Sequence, residues 1–320
     1  MTPGIHSDRP PTTKRPPSAT PVLITGATQG LGLATAHCLA DQGHSLVLAV
    51  RDEARGARVA EELRRTHADV DVRGLDLADL ASVAACAKGL IADGVRPRAI
   101  VCNAGLQVVG GSAVSRDGYE LSMATNVLGH VALLSRLIPA SDGDLWVITL
   151  GSETHRGGLA AFGFPAARWV DMETHLRPPT GSPDRFGQAG RVRYSTSKLA
   201  SIALAYEIER RFGHDGVHAV AFDPGLMPAT GLARDYPPAI RRLYAALVPV
   251  LVRAPGANTT EKSAQDLAWL VEHGRDAGLA GCYVAGRKAV KSSDVSYDPT
   301  IGADVWETSV RIARTRGTDG

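Results

Sequence analysis

Cysteine is scarce in this chain of 320 residues: Cys38, Cys86, Cys102 and Cys282 lie far apart and form no CxxC pair. That spacing gives no disulfide framework and no thiolate metal site. Charge of one sign is missing as well. The 35 basic and 33 acidic side chains leave a formal +2, too weak a field to argue for a nucleic-acid or membrane partner. No unbroken apolar run approaches the ~18 residues that a membrane span needs. The first twenty residues carry Pro3, Pro10, Pro11, Pro16 and Pro17 and lack the apolar segment of a secretion signal. No converging set of metal ligands is visible. The expectation is a soluble, reduced, cytoplasmic protein with no nucleic-acid, membrane or metal partner.

Apolar residues make up 44% of the chain and charged residues 21%, enough to bury a sizeable core. Residues 1–20 offer little to bury and are expected to form a disordered tail, leaving 21–320 as a single domain. Order is expected to begin at Pro21-Val22-Leu23-Ile24-Thr25, a short apolar run of the kind buried on both faces of a sheet. Strands are then expected at 45–50, 70–75, 98–102, 145–150, 217–222 and 281–285. Helices are expected at 31–42, 53–67, 80–92, 117–138, 194–212, 238–252, 258–273 and 300–313. Strict alternation of this kind predicts βαβ units on a parallel sheet of about seven strands, an α/β doubly wound fold. The rhythm breaks between 153 and 192, where Gly157-Gly158, Pro178-Pro179, Gly181 and Pro183 mix with Phe162, Phe164, Trp169 and Met172. Long irregular stretches in compact domains are functional or disordered, and the aromatics favour a packed, ligand-facing insertion.

Thr25-Gly26-Ala27-Thr28-Gln29-Gly30-Leu31-Gly32 joins the first strand to the first helix. Glycines allow a tight turn, close approach of backbone to a phosphate, and close packing of helix on sheet. The helix N-terminus then offers unpaired N–H groups to a pyrophosphate. The spacing is TGxxxGxG, weak alone but placed between a strand and a helix. Val50-Arg51-Asp52 ends the second strand, where an acid would hold a ribose 2′-OH and an arginine a 2′-phosphate. Arg51 points to NADPH. Asp52 could instead face the ribose, or the pair could be a solvated helix cap.

Tyr194 and Lys198 are four apart near the start of a helix and so share one face. A neighbouring ammonium favours a phenolate, which suits a proton donor or acceptor at a carbonyl or alcohol. YxxxK alone is commonplace; its partners give it weight. Ser152 follows the 145–150 strand, Asn103-Ala104-Gly105 follows the 98–102 strand, and Asn126 sits mid-helix, where asparagine is a poor choice. A turn serine, an Asx turn or a surface asparagine would explain each singly, but not all of them at the same ends of the strands.

Taken together, residues 21–313 resemble the short-chain dehydrogenase/reductase superfamily. The resemblance implies a Rossmann-type sheet. It implies a catalytic tetrad of Asn126, Ser152, Tyr194 and Lys198, with Tyr194 as acid/base and Lys198 lowering its pKa and holding the nicotinamide ribose. Ser152 would polarise the carbonyl, and Asn126 would support a relay water. It implies cofactor contacts from Gly26, Thr28, Gln29, Gly30, Leu31, Gly32, Arg51, Asp76, Leu77, Asn103, Ala104, Gly105, Tyr194, Lys198, Pro224 and Gly225. Arg51-Asp52-Glu53-Ala54-Arg55-Gly56, Asn126-Val127-Leu128-Gly129-His130, the Ser152/His155 pair and Val305-Trp306-Glu307-Thr308-Ser309 are similar to the retinol dehydrogenase and protochlorophyllide reductase branch. Such patterns also occur in actinobacterial polyketide-tailoring ketoreductases. Leu226 stands where the photoenzyme has cysteine, and Ala229 where the branch has threonine. His130 and His155 are expected to be structural.

The function expected is NADPH-dependent reduction of a ketone, or the reverse on a secondary alcohol, with a bulky apolar or aromatic, polyketide-like substrate. The alternatives are C=C reduction on a large planar substrate and a non-catalytic dinucleotide-sensing regulator. Many relatives pair through the helices at 117–138 and 194–212, so both a homodimer and a monomer stay open.

Overall fold

The computed structural model describes residues 20–66, 68–108, 113–158, 161, 163–180, 187–225 and 258–316. Residues 1–19 of the expected N-terminal tail, the 238–252 helix, Phe162, Leu226 and Ala229 lie outside the described residues. Apolar runs too short for a helix and rich in Val, Ile and Leu build the centre of the sheet. They form β1 (Val22–Thr25), β2 (Leu46–Val50), β4 (Ala99–Cys102) and β5 (Leu145–Leu150), every residue of which is buried. With β3 (Val70–Gly74), β6 (Val217–Asp223), β7 (Tyr283–Ala285) and β8 (Lys288–Val290) they make one sheet in the order β3-β2-β1-β4-β5-β6-β7-β8. The first seven strands are parallel. The eighth runs antiparallel to β7 across a two-residue turn in which Gly286 takes φ +62°. The sheet thus carries one strand more than the alternation predicted, because a Gly-x hairpin adds an edge without a crossover.

Two apolar cores flank the sheet. One holds α1 (Gly30–Asp41), α2 (Glu53–Leu63) and α8 (Thr260–His273). The other holds α3 (Leu80–Ala92), α5 (Gly129–Leu137), α7 (Gln188–Phe212) and α9 (Pro299–Arg316), with the short α6 (Met172–Leu176) beside them. Chain order reverses between β1 and β4, so a crevice opens at the carboxyl ends of these two strands.

Two helices differ from expectation in ways that matter. The helix expected from 117 starts as α4 (Leu121–Met123), where Glu120 caps the Met123 amide at 2.6 Å. It then widens to a π turn over Ala124–Leu128 before α5. Leu121–Ala140 is long and apolar enough to cross a membrane by composition, with mean hydropathy 1.3, although no run is unbroken. Its most apolar window is 83% buried, so that apolarity serves the core. α7 begins six residues before Tyr194, and α9 crosses α7 and α5, with Trp306 edge-on to Phe212 at 5.3 Å between centroids. Among the described residues of the irregular stretch 153–192, a Gly158–Phe164 bridge closes the chain on itself, and α6 packs Met172 and Leu176 into the core, with Met172 N donating to Asp304 at 2.8 Å.

Candidate active site

The loop after β1 is built for close approach. Gly26 has φ +69°, and a Cβ there would meet the Ala104 methyl at 2.9 Å. A Cβ on Gly32 would lie 2.3 Å from Nδ2 of Asn103, so α1 can sit on the sheet only with glycine at this point. Asn103 Nδ2 donates to the carbonyls of Thr25 (2.9 Å) and Gly26 (3.2 Å), and Ala104 N donates to Thr25 Oγ1 at 2.9 Å. The Asn103-Ala104-Gly105 turn and the glycine loop are therefore one unit. Gln29 stands at the N-cap of α1 and makes no side-chain cap bond, so the first amides of α1 keep their capacity for an anion. A narrow glycine cradle facing an uncapped helix end fits the pyrophosphate of a dinucleotide. Thr28 and Leu31 lie in the same turn. Asp76 turns its carboxylate back to the Ala78 amide at 3.0 Å, and Leu77 is buried beside it.

At the end of β2 the side chain of Asp52 caps α2 by accepting from Arg55 N at 2.9 Å. This carboxylate is taken up by the helix. Arg51 and Arg55 are both exposed, and Arg55 Nη1 donates to Gln29 Oε1 at 3.4 Å, so a second guanidinium reaches the phosphate loop. Arg55 was visible only within the RDxxKG-like run, because nothing in that spacing says which of its cations turns toward the loop.

The four tetrad positions are linked through the protein. Asn126 occupies the π turn, and its amide is fully engaged. Oδ1 accepts from Leu106 N (2.8 Å), while Nδ2 donates to Leu106 O (3.0 Å) and Ser197 Oγ (2.9 Å). Ser197 Oγ donates in turn to the Tyr194 carbonyl at 2.8 Å. A π turn supplies the register that an α-helix would deny this asparagine. Lys198 Nζ donates to the Leu150 carbonyl at 3.0 Å, two residues before Ser152. Ser152 caps the turn Glu153–His155, its Oγ accepting from Thr154 N at 3.3 Å, which leaves the hydroxyl proton for another acceptor. Phe164 brings its ring to 6.1 Å from that of Tyr194, with the Arg191 guanidinium over the Phe164 ring at 5.6 Å.

The electrostatics differ from the simple expectation. Burial pushes the Tyr194 phenol up to about 12, and the Asp223 carboxylate adds to the rise. Burial also pulls the Lys198 ammonium down to about 8, which Asp223 opposes. The lysine does not draw the phenol toward neutrality because its Nζ is directed at Leu150 and lies 5.6 Å from the phenol ring centre. Asp223, one residue beyond the strand expected at 217–222, is a buried carboxylate at the tip of β6. It accepts from Tyr283 (2.7 Å) and from Gly225 N (2.8 Å), shaping the Pro224-Gly225 turn, whose Pro224 carbonyl also accepts from Ser263 and Asn258. Its signal was there: an acid at the carboxyl end of a central strand.

His130 is wholly buried beneath the π turn. Its Nδ1 donates to the Asn126 carbonyl (3.1 Å) and its Nε2 meets Thr25 Oγ1 (3.0 Å), and burial lowers it to about 4. Among the described residues no cluster of His, Cys, Asp and Glu could hold a metal ion.

A short chain dehydrogenase model matches residues 20–161. A short chain dehydrogenase/reductase of Colletotrichum higginsianum is 31% identical over 313 residues, which cover 92% of this chain and 75% of the relative. The chain belongs to the short-chain dehydrogenase/reductase family. As a family member it is a nicotinamide-dinucleotide oxidoreductase acting on CH–OH or C=O groups of small molecules. Protochlorophyllide reductase A of Oryza sativa subsp. japonica is 30% identical over 314 residues, covering 91% of this chain and 80% of the relative. A substituted actinorhodin polyketide ketoreductase solved with NADPH shares the short-chain dehydrogenase fold at TM-score 0.62. It is 20% identical, with 83% of this chain and 95% of that chain covered.

Proposed function

We propose that the protein is an NADPH-dependent ketone reductase of the short-chain family, acting on a bulky substrate that is partly apolar or aromatic. The observation that carries the reading is the tie between the helix bearing Tyr194 and Lys198 and the strand end that delivers Ser152, Lys198 Nζ donating to the Leu150 carbonyl at 3.0 Å. The Tyr194 phenol, pushed up by burial, is protonated at neutral pH and so can give its proton to the oxygen of a carbonyl under reduction. Lys198, pulled to about 8 and mostly charged at pH 7, stands one turn away, where it holds the Leu150 carbonyl and would meet the nicotinamide ribose. Ser152 offers its free hydroxyl proton to the same oxygen, and Asn126 holds the 105–106 backbone and α7 in register. When bound, the nicotinamide supplies the hydride. Gly26, Gly30, Gly32 and the α1 amides would hold its pyrophosphate, with Asn103-Ala104-Gly105, Asp76 and Leu77 around the adenosine half and Lys198 and Pro224-Gly225 at the nicotinamide end.

The preference for the phosphorylated coenzyme rests on Asp52, whose carboxylate is spent on the α2 cap while Arg51 and Arg55 stay exposed. The aromatic character of the substrate rests on Phe164 beside Tyr194. The test is NADPH and NADH oxidation by the purified protein with a panel of aryl ketones and quinones, for wild type and Tyr194→Phe. Reduction with NADPH that the variant loses supports the reading; NADH serving equally well, or no ketone turned over, overturns it. The likeness to a protochlorophyllide reductase gives C=C reduction a claim, and identification of the product separates the two bonds. For assembly we propose a monomer, because α9 of the same chain covers α7 and α5. A dimer mass in solution would overturn that.

A further inference from the structure

His155 is 2% exposed, carries an imidazole, and has no part in the chemistry described above. It closes the short turn that begins at Ser152. Its Nδ1 lies 2.6 Å from the Ser152 main-chain carbonyl, and its Nε2 lies 2.9 Å from the Ser293 main-chain amide. A carbonyl only accepts and an amide N–H only donates, so these two neighbours fix the ring without ambiguity. Nδ1 carries the hydrogen, Nε2 presents its lone pair, and the ring is neutral. The same turn is tied a second time to the segment after β8, by Arg156 donating to the Lys291 carbonyl. Tyr283 stands edge-on to the imidazole at 5.4 Å.

The Ser152 hydroxyl is held only by a long 3.3 Å bond from Thr154 N, so its direction follows from the backbone that carries it. That backbone is fixed by His155. We propose that His155 is a positioning residue for the reaction: its neutral imidazole clamps the Ser152 carbonyl to Ser293 on the β8 side of the sheet and so aims the Ser152 hydroxyl at the substrate oxygen. The proposal rests on the reductase reading of Ser152. A proton added at Nε2 would put two donors, Nε2–H and Ser293 N–H, face to face, and the clamp would open. The groups facing the ring set when that happens. Burial and Arg156 resist the proton, Asp223 and the Ser152 carbonyl favour it, and the balance lies below the ordinary histidine value. Glu153, Lys291, Asp294 and Asp298 are the other charged groups on the two segments the ring joins, and the Tyr283 phenol, pushed up by its burial, stays neutral there.

The two halves of the clamp can be removed separately. The amide of an asparagine falls near the Nδ1 position and that of a glutamine near Nε2. His155→Asn therefore keeps a donor for Ser152 and loses the acceptor for Ser293, whereas His155→Gln does the reverse. With 9,10-phenanthrenequinone and NADPH as the assay pair, kcat is expected to fall by roughly tenfold or more in H155Q and by a few-fold in H155N, about the worth of one or part of one hydrogen bond. The NADPH dissociation constant should stay at the wild-type value in both. The acid limb of the wild-type kcat profile should follow the His155 titration and be absent from H155N. Nitrogen NMR of histidine-labelled wild type, assigned by the signal lost in H155N, should show His155 as the neutral Nδ1–H form at pH 7. Equal kcat in the two variants, loss that tracks thermal stability alone, or an Nε2–H tautomer would overturn the proposal. Wild type that binds NADPH yet leaves the quinone unreduced overturns the reductase reading, and the positioning role falls with it.

Discussion

Lys198 Nζ lies 3.0 Å from the carbonyl of Leu150, so the catalytic helix is pinned to the strand that delivers Ser152 two residues later. The bond holds a cation where solvent cannot reach it. Burial lowers its pKa from 10.5 to about 8. The unfolded chain therefore binds more protons than the folded one between these values, and stability rises with pH across that window. Below pH 8 the full cost is present, up to about 3 kcal/mol at 1.36 kcal/mol per pKa unit. Lys198→Met should abolish ketone reduction and still match or exceed the wild-type melting temperature at pH 7, with the advantage shrinking between pH 8 and 10.5. Thermal unfolding at a series of pH values checks this.

His130 gives the opposite end of the pH range. Its folded pKa of about 4 lies below the usual 6.5, so the unfolded chain takes up the proton first as pH falls. Stability is complete above pH 6.5 and is lost progressively toward pH 4, by up to about 3 kcal/mol. His130→Asn keeps a donor for the Asn126 carbonyl but does not titrate. It should cost stability at pH 7 and show a shallower decline under acid, as read from urea midpoints.

Asp52 caps a helix, and a cap is worth about 1 kcal/mol. Asp52→Ala should lower stability by that amount and leave the preference for NADPH over NADH in place. Arg51→Ala and Arg55→Ala should instead cost on the order of ten- to a hundredfold in NADPH affinity, the scale of a charge-assisted hydrogen bond, with little effect on NADH. Calorimetric titration with both coenzymes checks all three.

Gly32→Ala places a methyl carbon 2.3 Å from Asn103 Nδ2 and 2.7 Å from the Gly26 carbonyl. Either α1 lifts off the sheet or Asn103 releases the β1 carbonyls. Dinucleotide binding should be lost in either case, and a variant that binds as wild type would refute the close packing described.

The parallel sheet was legible because its strands are short apolar runs separated by amphipathic helices, a pattern set by burial alone. The eighth strand was not: Lys288, Ala289 and Val290 are all exposed and carry no burial pattern, and only Gly286 marks the turn. Asn126 announced itself as an unsuitable mid-helix residue, yet the π turn that suits it has no repeat to read, since one widened turn changes no hydrophobic period. Arg51 and Asp52 could not be told apart by spacing, because whether a carboxylate caps a helix or faces a ligand depends on a backbone angle. Tyr194 and Lys198 were found by their spacing, but their protonation follows from burial and from Asp223, which comes from a different strand. The two-sided bonds of His130 and His155 likewise join residues distant in sequence, Thr25 and Ser293.

The C-terminal helix lends one more property to the chain. Ile301, Val305, Trp306 and Ile312 belong to the same apolar core as α5 and α7, so the last eighteen-residue element supplies from within what another subunit could otherwise supply from outside. A stop codon placed before Pro299 would do more than shorten the product: it would strip the cover from a hydrophobic face and leave a chain driven to associate or precipitate.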